Sequence, residues 1–113
     1  MLEKIAYFAL LKDFYGPLLT RKQQEILNLY YDNDLSLSEI AANMDASRQA
    51  IFDILKKAER ALQEYESKLG LVERFQKNQE RLQEAQFLLN RLEPDPEIHR
   101  RIKQILEELI DLR

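Results

Sequence analysis

The sequence predicts an all-α protein, and three observations carry that prediction. Leu, Glu, Lys, Gln, Arg and Ala dominate the 113 residues, and all are strong helix formers. Only two glycines and three prolines interrupt them, and β-branched residues do not cluster as strands require. Apolar residues recur at steps of three and four, the helical period. With 45% apolar and 33% charged residues the chain is globular rather than disordered, and it is long enough to bury a core.

The first element, residues 3–15, is apolar on more than one face (Leu2, Ile5, Tyr7, Phe8, Leu10, Leu11, Phe14). A surface helix shows one stripe, so this one is expected to pack between two neighbours or into a dimer contact. Gly16-Pro17 ends it. Thr20 opens the second helix, with Gln23 at capping-box spacing. Its apolar face is Ile26, Leu27, Leu29, Tyr30 and Tyr31, and Asp32-Asn33-Asp34 stop it. Ser36 and Glu39 repeat the capping box for a short third helix that turns Leu37, Ile40, Ala41 and Met44 inward. Asp45-Ala46 form a tight turn, and Ser47 caps a fourth helix that runs to Leu69 before Gly70.

The fourth helix carries a heptad-like seam: Ile51, Leu55, Ala58, Leu62, Tyr65, Leu69. Beyond Gly70 a second seam starts in another phase, through Leu71, Phe75, Asn78, Leu82, Ala85, Leu89 and Leu92, so Gly70 marks a bend. Pro94-Asp95-Pro96 makes a sharp turn with Asp95 as N-cap and Pro96 in the first helical position. The last helix shows Ile98, Ile102, Ile105, Leu109 and Leu112. The short turn makes the last two helices antiparallel. The expected organisation is a helix-turn-helix domain over 1–69 and a C-terminal helical hairpin over 70–113, which packs on it or dimerises. A homodimer is expected, because two helices hide only part of three stripes. Asn78, polar in an apolar seam, either sets the register of an oligomer or marks a partly buried stretch.

Residues 36–62 have the mechanics of a helix-turn-helix. The first helix is short, Ala41 and Ala42 allow a close crossing, and the second helix is capped in its first turn and held proud of the surface. At about 100° per residue, burying Ile51, Ile54, Leu55 and Ala58 turns Gln49, Asp53, Lys56 and Arg60 outward. Arg48 and Phe52 flank one edge of that face and Lys57 the other. Arg48 and Gln49 stand where base-edge contacts are made. Lys56, Lys57 and Arg60, with Arg21 and Lys22 at the start of the second helix, suit phosphate contacts. Asp53 opposes phosphates unless Lys56 and Lys57 neutralise it, and Phe52 suits a protein partner as well as a thymine methyl.

The stretch from Thr20 to Leu62, with Leu35-Ser-Leu-Ser-Glu-Ile-Ala-Ala and Ala46-Ser-Arg-Gln-Ala-Ile, resembles region 4 of bacterial sigma factors, the part that reads the −35 promoter element. Asp45 stands where that turn usually has Gly, Ala50 and Phe52 where arginines are frequent, and no region 2 is present. With Asp13-Phe14-Tyr15 and Leu18-Leu19-Thr20 added, nearly the whole chain resembles the YlxM family, small helix-turn-helix proteins encoded beside the signal recognition particle genes of Gram-positive bacteria. The resemblance implies a regulatory or accessory role in that pathway, with the particle's GTPase, its receptor or its RNA as partner.

Other classes find little support. Net charge is −3, and residues 1–35, 36–70 and 71–113 each sit at −1, so no basic tail advertises non-specific nucleic-acid binding. Without cysteine there is neither a disulfide nor a thiolate metal site. Two glycines cannot make a phosphate loop. The single histidine, His99, sits among arginines and reads as a solvated residue. No catalytic residues, metal ligands or cofactor are expected, and the chain reads as a non-enzyme. The apolar run Ile5–Leu11 is too short to span a bilayer, no small-residue cleavage site follows it, and a cytoplasmic protein with no membrane partner is expected. Two functions remain open: a helix-turn-helix regulator that binds DNA, or an adaptor that modulates the signal recognition particle GTPase or its receptor without binding DNA.

Overall fold

A computed structural model describes residues 2–92 and 95–111. Pro94 of the expected turn and Leu112 of the last seam lie outside the described residues. Among the described residues there are six α-helices and no strand: α1 (Leu2–Tyr15), α2 (Arg21–Leu27), α3 (Leu37–Asn43), α4 (Arg48–Leu69), α5 (Leu71–Arg91) and α6 (Pro96–Ile110). They form two compact units, residues 1–72 and 73–113.

In the first unit α1, α2 and α3 all pack on α4. The core is Phe8, Leu11, Tyr15, Ile26, Leu27, Ile40, Ile51, Leu55, Ala58, Leu62 and Val72, among others. Burying each leucine or isoleucine of that set contributes about 2–3 kcal/mol before entropy is counted. The local signals resolve as spacing dictates. Thr20 accepts from the Gln23 amide while Gln23 accepts from the Thr20 amide. Ser36 and Glu39 do the same. Ser47 accepts from the Ala50 amide at 3.0 Å. Gly70, at φ 62°, ends α4 in the left-handed geometry that glycine adopts without a Cβ penalty.

Helix α1 buries Phe8, Leu11 and Tyr15 and packs against both α4 and residues Asn28–Asp32, between two neighbours as expected, while Ile5 and Tyr7 remain exposed. Two expectations need correction here. Helix α2 does not run uniformly to Asp32: Asn28–Asp32 is a π-helical turn, closed by the Asn33 amide on the Asn28 carbonyl. That widened turn carries Tyr31 onto Glu59 and Asp32 onto the ammonium of Lys12, which also donates to Asn28 at 2.9 Å. The α4 seam ends before Leu69, which is exposed.

Helix α5 starts without a Ser, Thr, Asp or Asn cap, and the core supplies one from a distance. The Tyr15 hydroxyl accepts from the Leu71 amide at 3.1 Å and donates to the Glu66 carboxylate at 2.5 Å. That same carboxylate oxygen accepts from the Val72 amide at 3.0 Å. Two amides orphaned by the start of a helix are thereby satisfied from α1 and α4. Burial, reinforced by the hydrogen bond to Glu66, raises the Tyr15 hydroxyl above its ordinary pKa.

In the second unit the inward stripe of α5 is displaced by one residue at alternate steps. Phe75, Leu82 and Leu89 face inward as the spacing predicts, but Gln79 and Gln86 are half-buried where Asn78 and Ala85 were expected, and those two are exposed. Gln79 explains the choice: its amide reaches the carbonyl of Ile110 at 2.8 Å, an acceptor that the last turn of α6 leaves open. This bond joins the end of α6 to the first half of α5, as an antiparallel pair requires. Asp95 caps α6 through the Glu97 amide at 2.8 Å, with Pro96 in the first turn. The seam expected on α6 is not buried. His99, Leu106 and Ile110 are half-buried, and Ile98, Ile102, Ile105 and Leu109 face solvent.

Candidate nucleic-acid interface

The helix-turn-helix is α3, the turn at 44–47 and the first half of α4. Three devices set the angle between its helices. Ile40 and Ala41 of α3 pack against α4 as part of one core. Asp45 takes φ 52°, which lets the chain reverse, and the Ala46 amide closes the turn on the Ala41 carbonyl at 3.0 Å. Glu39 holds the start of α3. The Ser36 backbone N–H, and then the Ser36 hydroxyl, keep its carboxyl below the usual carboxylate range.

The face of α4 turns out as the helical period requires: Arg48, Gln49, Phe52, Asp53, Lys56, Lys57 and Arg60 are all exposed. Their pairing differs from the expectation. Asp53 is not neutralised by Lys56 or Lys57; it accepts from the Gln49 amide at 2.9 Å, one turn earlier. Lys56 instead lies 3.3 Å from Glu59 and 5.5 Å from the Phe52 ring centroid. The reason is the burial of Glu59, 6% exposed, whose carboxylate needs a cation beside it as well as the Tyr31 hydroxyl. Burial first, and that hydrogen bond second, push the Tyr31 hydroxyl far above its ordinary pKa. Arg48, Lys57 and Arg60 make no ion pair among the described residues, and neither do Arg21 and Lys22, exposed on the first turn of α2.

One cation of this surface is invisible in the sequence. A groove of about 260 Å³ between α1 and α4 is lined by Lys4, Phe8, Lys56, Glu59, Arg60 and Gln63. Lys4 belongs to the same basic edge as Lys56 and Arg60, although more than fifty positions separate it from them. Only the packing of α1 on α4 brings them together, and no local motif signals it.

Chemically the surface is a capped helix N-terminus carrying Arg48, backed by unpaired cations and interrupted by one carboxylate already bound to Gln49. No group of three or more His, Cys, Asp or Glu residues able to hold a metal ion occurs among the described residues. Likewise, no helix there is long and apolar enough to cross a membrane.

A short capped helix, a reversing turn and a second helix with a solvent-facing charged start together define a helix-turn-helix protein. Comparison with known proteins places it more narrowly. The chain belongs to the UPF0122 family, described as "Putative helix-turn-helix protein, YlxM / p13 like", which matches residues 2–108; this is a helix-turn-helix family rather than an enzyme family. It is 45% identical over 109 residues to a UPF0122 protein of Thermoanaerobacter sp. (strain X514), covering 94% of this chain and 93% of the relative. Relatives from Bacillus mycoides (strain KBAB4) and Bacillus thuringiensis (strain Al Hakam) are 43% and 42% identical, each alignment covering 96% of both chains.

Proposed function

We propose that this protein is a DNA-binding regulator that docks the first half of α4 in the major groove. The observation that carries this reading is the set of cations left unpaired on the surface, Arg48, Lys57 and Arg60 on α4 and Arg21 and Lys22 on α2. In the proposed complex Arg48 reaches base edges, while Lys57, Arg60, Arg21 and Lys22 contact phosphates. Gln49 is released from Asp53 on binding, or remains there and takes no part in reading. Replacing Arg48 and Arg60 by Glu abolishes retention of duplex DNA at low salt, and undiminished binding by that variant refutes the reading.

A second reading is favoured by Phe52, which is 37% exposed beneath the Lys56 ammonium, a pairing suited to a protein partner. Under it, and following the resemblance to proteins encoded beside signal recognition particle genes, the chain is an adaptor for the particle's GTPase, its receptor or its RNA. Capture of the purified GTPase by the wild type, lost in Phe52→Ala and insensitive to DNase, selects this reading over the first.

A further inference from the structure

Helix α6 has two faces with different fates. His99, Leu106 and Ile110 turn inward, and Gln79 of α5 holds the carbonyl of Ile110. The adjacent face carries Ile98, Ile102, Ile105 and Leu109, which are 56%, 39%, 39% and 43% exposed. Four large aliphatic side chains at steps of four and three make a two-stranded seam, and solvent covers it here. Leu88 and Leu92, at the turn end of α5, are exposed as well.

The charge pattern of α6 states what fits this seam. Its first half carries Arg100, Arg101 and Lys103 with His99 against the single carboxylate Glu97, and its second half carries Glu107 and Glu108, followed by Asp111 at the C-cap. A second α6 laid parallel sets like charge against like charge along its length. Laid antiparallel, it sets the basic half of each copy against the acidic half of the other. With the seam in register, Ile98 meets the partner's Leu109 and Ile102 meets the partner's Ile105. Arg101 and Glu108 flank the seam on the same edge, at the positions that face one another across an antiparallel pair. By symmetry the contact Arg101 to the partner's Glu108 occurs twice. Among the described residues Arg101 is held only by a long 3.4 Å contact to Gln104, so it is available for that role.

We propose that the exposed face of α6 is a self-association surface, occupied by α6 of a second copy in antiparallel orientation and keyed by reciprocal Arg101–Glu108 pairs. The proposal concerns residues 73–113 and stands whether α4 binds DNA or protein. A dimer would present two helix-turn-helix units, the stoichiometry that a two-fold symmetric target requires.

The test uses the full chain and sedimentation equilibrium, with circular dichroism to check that each variant is folded. The wild type is expected to weigh twice the 13.5 kDa chain mass at concentrations of about 20 µM. Arg101→Glu and Glu108→Arg each place two like-charge contacts at the seam and weaken association about tenfold. The double variant R101E/E108R restores both pairs with reversed polarity and returns the dimer to near wild-type strength. The absence of cysteine supplies a second readout, independent of charge. Chains carrying Ile98→Cys mixed with chains carrying Leu109→Cys give an oxidised heterodimer, whereas neither cross-links alone. A wild-type monomer at that concentration overturns the proposal. So does a dimer indifferent to both single reversals, a double variant no stronger than the singles, or Ile98→Cys cross-linking to itself.

Discussion

The remote cap on α5 offers the sharpest test of how the first unit is held together. Tyr15→Phe keeps the ring, its burial and its stacking on Tyr65 at 5.9 Å, and removes only the hydroxyl. Two bonds go with it: a charge-assisted one to Glu66 at 2.5 Å and one from the Leu71 amide at 3.1 Å. The first is of the kind worth about 1.5–3 kcal/mol, and the Leu71 amide loses its acceptor. Against this, Phe avoids desolvating a hydroxyl, and the exposed side of Leu71 admits water to the amide. The net loss is about 2 kcal/mol, or about 10 °C in Tm for a unit of this size. All five tyrosines lie within residues 1–72, so near-ultraviolet circular dichroism of the remaining four follows that unit selectively. Amide exchange adds a local readout, in which Leu71 should exchange much faster in the variant while Val72, still bound to Glu66, changes less. A Tm within 2 °C of wild type, or unchanged exchange at Leu71, refutes the capping role.

Other consequences follow from the same contacts. Asp45→Gly removes a Cβ from a left-handed residue at φ 52° and should stabilise the protein by about 1 kcal/mol in urea denaturation. A loss of stability would mean that the Asp45 side chain has a role beyond the turn. The hydroxyls of Tyr15 and Tyr31 are raised in the folded protein, so the native state keeps protons that the unfolded chain gives up. Stability is therefore complete below about pH 10 and declines as pH rises from there towards the folded pKa values. Tyr31→Phe should flatten that decline, and an identical alkaline profile would contradict the assignment. Asp53→Asn removes the carboxylate from the outward face of the first half of α4 and should tighten duplex DNA binding about threefold. Weaker binding would show that Asp53 orders Gln49 for recognition.

What could be read from the residues alone was whatever is decided within one helical turn. The Thr20–Gln23 and Ser36–Glu39 boxes, the Ser47 and Asp95 caps and the Gly70 stop each depend on groups three residues apart or fewer, and the structure keeps all of them. The outward face of α4 was legible for the same reason, since period and burial determine it together. Contacts between distant segments were not. Nothing near Tyr15 announces Leu71 and Glu66, nothing near Lys4 announces Arg60, and the buried Glu59 that draws Lys56 away from Asp53 looks like any surface glutamate. In α5 the two candidate stripes share Phe75, Leu82 and Leu89 and differ by one residue between, where apolarity favoured Ala85 over Gln86. The structure chose glutamines because their stems pack, and at Gln79 the amide also reaches a backbone acceptor, which hydropathy does not register.

The central claim is that the unpaired cations of α2 and α4 form a DNA-binding surface, and its salt dependence tests it most directly. With Arg21, Lys22, Lys57 and Arg60 on phosphates, anisotropy titrations of a labelled duplex between about 50 and 200 mM salt should give log K falling against log salt with a slope near −4 per bound chain. Arg60→Ala should lower that slope by about one. Failure to bind duplex DNA at the lowest salt, or affinity that stays flat across the range, contradicts the account.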